Sequence, residues 1–108
     1  MTTALSLLVI RCADLAVSKA FYEALGLEFR AEKHASGPEH FSCQLGSLVL
    51  ELYPASQSPP SRERLGFRVA DVEAATSAAL RAGGRLDRPG VVVDPDGRKI
   101  ELTAITGA

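Results

Sequence analysis

The chain lacks any apolar run that approaches a bilayer span. Its longest, Leu7 to Ile10, is four residues, where a membrane-crossing helix needs about 20. It lacks excess charge as well: a net charge of -1 gives no electrostatic reason to expect nucleic acid or an anionic membrane as partner. The stretch Met1–Ala4 has neither the basic residues nor the apolar core of a secretory signal, so a cytoplasmic location is expected. Cysteine is scarce. Cys12 and Cys43 have no metal or redox spacing and make a poor disulfide framework, so both are read as small buried hydrophobes in a reducing setting. No Ser/His/Asp or Cys/His set is discernible, and no glycine-rich phosphate loop follows a strand.

What is present is enough for one core. The 108 residues are 46% hydrophobic and 23% charged, the composition of a single globular domain. The chain is organised around a repeat: Arg11-Cys12-Ala13-Asp14-Leu15 returns 57 residues later as Arg68-Val69-Ala70-Asp71-Val72. Each copy follows an apolar run and precedes a helix-like segment ending in glycine, at Gly26 and Gly83. Two such copies are too few for a solenoid and point to a pseudo-twofold domain.

Leu5–Cys12 reads as a first strand, and Asp14 as the N-cap of a helix over Leu15–Leu25. Strands are expected over Leu27–Lys33, Phe41–Leu45 and Leu48–Tyr53, the first two separated by a Ser36-Gly37-Pro38 turn. Residues 54–63, polar and rich in proline, read as a linker. A second module then opens with a strand at Leu65–Val69 and a helix capped by Asp71. It closes with Val91–Val93 and Lys99–Ala104 around the Asp94-Pro95-Asp96-Gly97 turn. The expected fold class is α+β, with two βαβββ modules, 1–53 and 64–106, forming a curled mixed sheet with helices outside and a cleft. Glu51 and Glu101 are only 50 apart, so the second module is short by seven residues, assigned to its second and third strands.

Three local signatures stand in order at module spacing: Asp14-Leu15 with Phe21-Tyr22 and Leu25-Gly26; Phe67 to Val72; and Asp94 to Leu102. Together they resemble the vicinal oxygen chelate superfamily, which includes glyoxalase I, extradiol dioxygenases and bleomycin-binding proteins. The resemblance implies a homodimer and, in metal-dependent members, a His or Gln on each module's first strand with a Glu on each last strand. Carried onto this chain, those positions are Leu7 and Arg64, then Glu51 and Glu101. Leucine cannot coordinate a metal, and a guanidinium repels one. No metal and no cofactor are therefore expected.

Strand alternation places Leu7, Val9, Arg11, Glu51, Tyr53, Arg64, Arg68 and Glu101 on the cleft side, the expected ligand-binding set. Arg64 is expected to stand where the metal would, paired with Glu101, Glu51 or both. His34 and His40 are read as exposed residues flanking a turn, with His40 able to reach the cleft rim, Phe21 as core, and Tyr22 as surface or dimer contact. The function expected is metal-independent binding of a small organic molecule, one carrying carboxylate, phosphate or hydroxyl groups for the arginines to meet. One alternative is a glyoxalase-type lyase, isomerase or dioxygenase with Glu101 as general base. The other is a non-catalytic structural or interaction module.

Overall fold

The two aspartates of the repeat do the same job twice. In a computed structural model, which describes residues 2–105, Asp14 and Asp71 both have extended backbones. Their carboxylates accept from the amides of Val17 (3.1 Å) and Ala74 (3.0 Å). They thereby start helices α1 (Leu15–Ala24) and α2 (Val72–Arg81) by satisfying amides that have no partner inside the helix. Gly26 and Gly83, with φ of 104° and 97°, turn the chain out of each helix through a left-handed conformation that a side chain disfavours.

Among the described residues, eight strands complete the two modules: β1 (Leu7–Cys12), β2 (Arg30–Glu32), β3 (His40–Leu45), β4 (Leu48–Pro54), β5 (Leu65–Val69), β6 (Arg85–Arg88), β7 (Val91–Val93) and β8 (Lys99–Ala104). β1 pairs parallel with β4, and β5 with β8; the remaining pairs are antiparallel. The α+β class and the βαβββ modules are as expected. In place of one curled sheet there are two four-stranded mixed sheets, ordered β1-β4-β3-β2 and β5-β8-β7-β6. β2 is shorter than the expected Leu27–Lys33: the Leu27 amide donates back to the Tyr22 carbonyl at the end of α1 (3.3 Å) instead of to a neighbouring strand. Part of the second module's shortening lies in β7, three residues against six in β3. The rest lies mainly in a connection: only Pro89 and Gly90 join β6 to β7, where residues 33–39 join β2 to β3. Met1 and Thr106, the expected outer bounds of the modules, lie outside the described residues.

Alternation along each strand decides which side is dry. Ile10, Cys12, Leu50, Leu52, Val69, Ile100 and Leu102 are buried against the helices, and Cys12 and Cys43 are free and buried. The helices meet each other between the sheets, α1 bringing Phe21 and Tyr22 and α2 bringing Ala75 and Ala79. Tyr22 is therefore not a surface residue. It is fully buried, edge-to-face with Phe21 at 5.0 Å and tilted against Phe67 at 6.1 Å. The small side chains of α2 let Phe21 reach the loop that follows it. A methyl group built on Gly84 would stand 2.5 Å from Phe21 Cε1 and 3.0 Å from the carbonyls of Ala79 and Val93. Gly84→Ala is expected to cost about 1–3 kcal/mol through overpacking, measured as a lower urea midpoint at unchanged slope. A midpoint equal to that of the parent would show that this packing yields freely.

A second joint is polar. Arg98 is fully buried and follows the Asp94–Gly97 turn. Its guanidinium donates to Glu63 Oε1 (2.8 Å), Asp94 Oδ2 (3.1 Å), Asp96 Oδ2 (3.2 Å) and the carbonyl of Arg11. Asp94 Oδ2 also accepts from the Tyr22 hydroxyl at 2.5 Å, and Asp96 accepts from the Ala13 amide at 3.2 Å. One cation thus ties β1, α1, the linker and the second module together. Burial alone would lower the Arg98 pKa, but the bonds from Glu63 and Asp94 outweigh it and hold the value raised.

Candidate functional site

The expected ligand-binding residues fall on two separate faces. On the first sheet, parallel register sets Leu7 beside Val49, Val9 beside Glu51 and Arg11 beside Tyr53. The Arg11 guanidinium lies 5.2 Å over the Tyr53 ring, a cation–π contact. On the second sheet, Glu101 lies opposite Gly66 and Arg68 opposite Thr103. Arg64 Nε donates to Glu101 Oε2 at 2.7 Å, with both side chains about half exposed at 45% and 49%. Among the described residues Arg64 makes no ion pair with Glu51. The bond from Arg64 holds the Glu101 carboxyl below its ordinary value, which makes it a weaker general base.

The same register builds a trough on the free face of the first sheet. Ser42 sits opposite both Arg30 and Glu51, and Gln44 opposite Val49, so alternate residues of β2, β3 and β4 point the same way. With Glu28, Phe29 and Glu32 they line a cavity of about 600 Å³, within the usual range for small-molecule sites. Three carboxylates face one guanidinium there, a local charge of -2. The trough belongs to the first module alone, and of the expected set only Glu51 lines it. Arg11 instead lines a smaller recess of about 340 Å³ with residues 55–59.

His40 corrects the expectation of two exposed histidines. His34 is exposed, but His40 is 1% exposed. It opens β3, sits opposite Glu32 in the strand register, and stacks on Tyr53 at 4.1 Å and 12°. Its Nε2 lies 3.3 Å from Glu32 Oε1, 3.7 Å from Glu51 Oε2 and 3.4 Å from the Tyr53 hydroxyl. One atom each from Glu32, His34 and His40 come within 4.8 Å of one another, a donor set that neither module's end strand supplies. The sequence signal for it was parity: His40 alternates with Ser42 and Gln44, against the core-facing Cys43.

The metal arrangement implied by the resemblance does not fit these residues. Leu7 has no donor atom. Arg64 places a permanent cation at the equivalent second position and engages Glu101 directly. Glu51, on the first sheet, has the buried imidazole of His40 on the adjacent strand as its neighbour.

In fold, the chain is similar to a glyoxalase/bleomycin resistance protein from Albidiferax ferrireducens T118, with a TM-score of 0.72 and 22% identity over 94% of this chain and 98% of that one. It is similar to TnmS3, an antibiotic binding protein from Streptomyces sp. CB03234 (TM-score 0.69, 21% identity, 97% of this chain, 98% of that one). It is also similar to the oxidase ChaP-H2 (TM-score 0.72, 20% identity, 100% of this chain, 98% of that one). No curated protein matches the sequence. Residues 4–102, nearly the whole chain and both modules, match one family throughout, and the chain belongs to the Glyoxalase/Bleomycin resistance protein/Dioxygenase superfamily.

Proposed function

We propose that this chain binds a small organic molecule reversibly in the trough of its first sheet, without a metal ion at the superfamily's intermodule position and without altering the ligand. The observation that carries this is the trough itself: a cavity of about 600 Å³ with polar side chains from three strands and no nucleophile–base pair in its lining. Glu101, the candidate general base, lies on the other sheet, held by Arg64. The antibiotic-binding TnmS3 has a similar fold, which makes sequestration compatible with this architecture.

The charge of the trough defines the ligand class. Of the arginines expected to meet an anionic ligand, Arg11 lines the separate recess, Arg68 is on the second sheet and Arg64 immediately precedes it, while Glu28, Glu32 and Glu51 outnumber Arg30 in the trough. An amine-bearing, hydroxyl-rich molecule fits this lining better than a carboxylate or phosphate. The test is calorimetric titration of chelator-treated protein with amine-bearing and carboxylate-bearing antibiotics, followed by mass spectrometry of the recovered ligand. Saturable binding of the amines and unchanged ligand mass are expected. Glu51→Gln should weaken binding by roughly tenfold or more, since a hydrogen bond to a charged group contributes about 1.5–3 kcal/mol. Conversion of the ligand, or a preference for the carboxylates, would overturn the reading.

A further inference from the structure

The β2–β3 hairpin concentrates ligating atoms in one corner. Strand register sets Glu32 opposite His40, and the connection between them returns His34 to the same place. Glu32 Oε1 is 3.3 Å from His40 Nε2 and 3.8 Å from His34 Nε2. A tetrahedral zinc ion with bonds of about 2.0–2.1 Å needs donor atoms about 3.3–3.5 Å apart. The inner pair already has that spacing. The wider separations close by rotation of His34, whose side chain is 72% exposed and free to turn.

His40 is oriented as a ligand would be. Its Nδ1 lies 3.2 Å from the carbonyl of Pro38. A carbonyl only accepts, so Nδ1 is the donor of that bond and Nε2 is the nitrogen left to face a metal ion. Metal-binding imidazoles are commonly fixed by such a bond on the other nitrogen. Nε2 faces the carboxylates of Glu32 and Glu51, which have no proton to offer when ionised. The Tyr53 hydroxyl is 3.4 Å away, but its ring is stacked 4.1 Å above the imidazole, while Nε2 binds in the imidazole plane. Two carboxylates therefore converge on a buried ring nitrogen, an arrangement that a cation held at that nitrogen relieves.

We propose that Glu32, His34 and His40 bind a divalent transition ion of the zinc, cobalt and nickel class at the rim of the trough, with Glu51 adding negative charge beside His40. Two imidazoles favour such an ion over magnesium or calcium, which prefer all-oxygen sets. The site does not rest on the ligand reading above, and it uses neither Leu7, Arg64 nor Glu101.

The test is titration of the chelator-stripped full chain with Zn²⁺ by calorimetry, and with Co²⁺ followed by its visible d–d absorption. One ion per chain is expected, with a Co²⁺ band of tetrahedral intensity. His34→Ala, an exposed change that circular dichroism should show to be folded, is expected to weaken binding about tenfold or more, and Glu32→Gln should do likewise. Glu101→Gln is expected to leave metal affinity unchanged. Absence of saturable binding, unchanged affinity in His34→Ala, or loss of binding in Glu101→Gln would overturn the proposal.

Discussion

Arg98→Ala is expected to lower the stability of the chain by about 3–5 kcal/mol, because it leaves buried carboxylates without their cation. At about 4–8 °C per kcal/mol for a domain near this size, the melting temperature should fall by roughly 12–40 °C. The effect comes from what remains behind. The Asp94 side chain is 0% exposed and that of Asp96 5%, so neither can recruit enough water to replace the guanidinium. The Arg11 carbonyl also loses a donor. Arg64→Ala is the control: it removes the same charge from a pair that is 45% and 49% exposed, and such surface pairs contribute about 0–1 kcal/mol. Circular dichroism melts of the two variants, side by side, measure the difference. Equal losses would show that burial is not what makes Arg98 costly to remove. The double variant Arg98→Met with Asp94→Asn should recover part of the loss, since replacing both partners costs less than orphaning one.

The dependence of the fold on Arg98 was hidden in the sequence for a physical reason. Asp94-Pro95-Asp96-Gly97 reads as a turn by its local chemistry, and it is one: the Gly97 amide donates to the Asp94 carbonyl at 3.0 Å. Nothing local says that the next residue reaches across the molecule to the carbonyl of Arg11, because that contact is set by how the two modules dock. Tyr22 was misplaced for the same reason. Its helical neighbours Ser18 and Lys19 are polar, and only the arrival of Asp94 explains a buried hydroxyl. What was legible was periodic or local. The 57-residue offset located both N-caps and both first strands, and alternation sorted Ile10, Leu50, Leu52 and Ile100 into the core. The same alternation put Val9, Glu51 and Tyr53 on one face, but it could not tell that the two modules present separate sheets. The trough was missed because β2 carries no apolar alternation; its residues are Arg, Ala and Glu. The donor cluster was missed by a single boundary: β3 starts at His40, not Phe41, and that one residue moves the histidine from a turn into a buried strand position facing Glu32.

Tyr22→Phe is expected to cost about 1.5–3 kcal/mol at neutral pH, the range for a hydrogen bond to a charged partner. Asp94 keeps its bonds from Arg98 and from the Asp96 amide, so the variant should still fold. A second consequence separates this bond from simple packing. Burial first, and the neighbouring Asp94 charge second, push the Tyr22 phenol above its ordinary value of 10.0. The folded state then keeps a proton that the unfolded chain releases as pH rises past 10, so the unfolded state binds fewer protons and stability falls with pH. Cys12 and Cys43, also raised by burial from 9.0, have the same sign and begin to act one pH unit lower. Urea midpoints of the parent should therefore decline from about pH 9, and more steeply above pH 10 as the tyrosine contribution approaches about 1.4 kcal/mol per pH unit. In Tyr22→Phe the decline from the two thiols should persist while the steeper part above pH 10 disappears. If parent and variant fall with the same slope between pH 10 and 11, the phenol is not retaining its proton in the folded state, and the Tyr22–Asp94 bond does not join the helix to the turn as described.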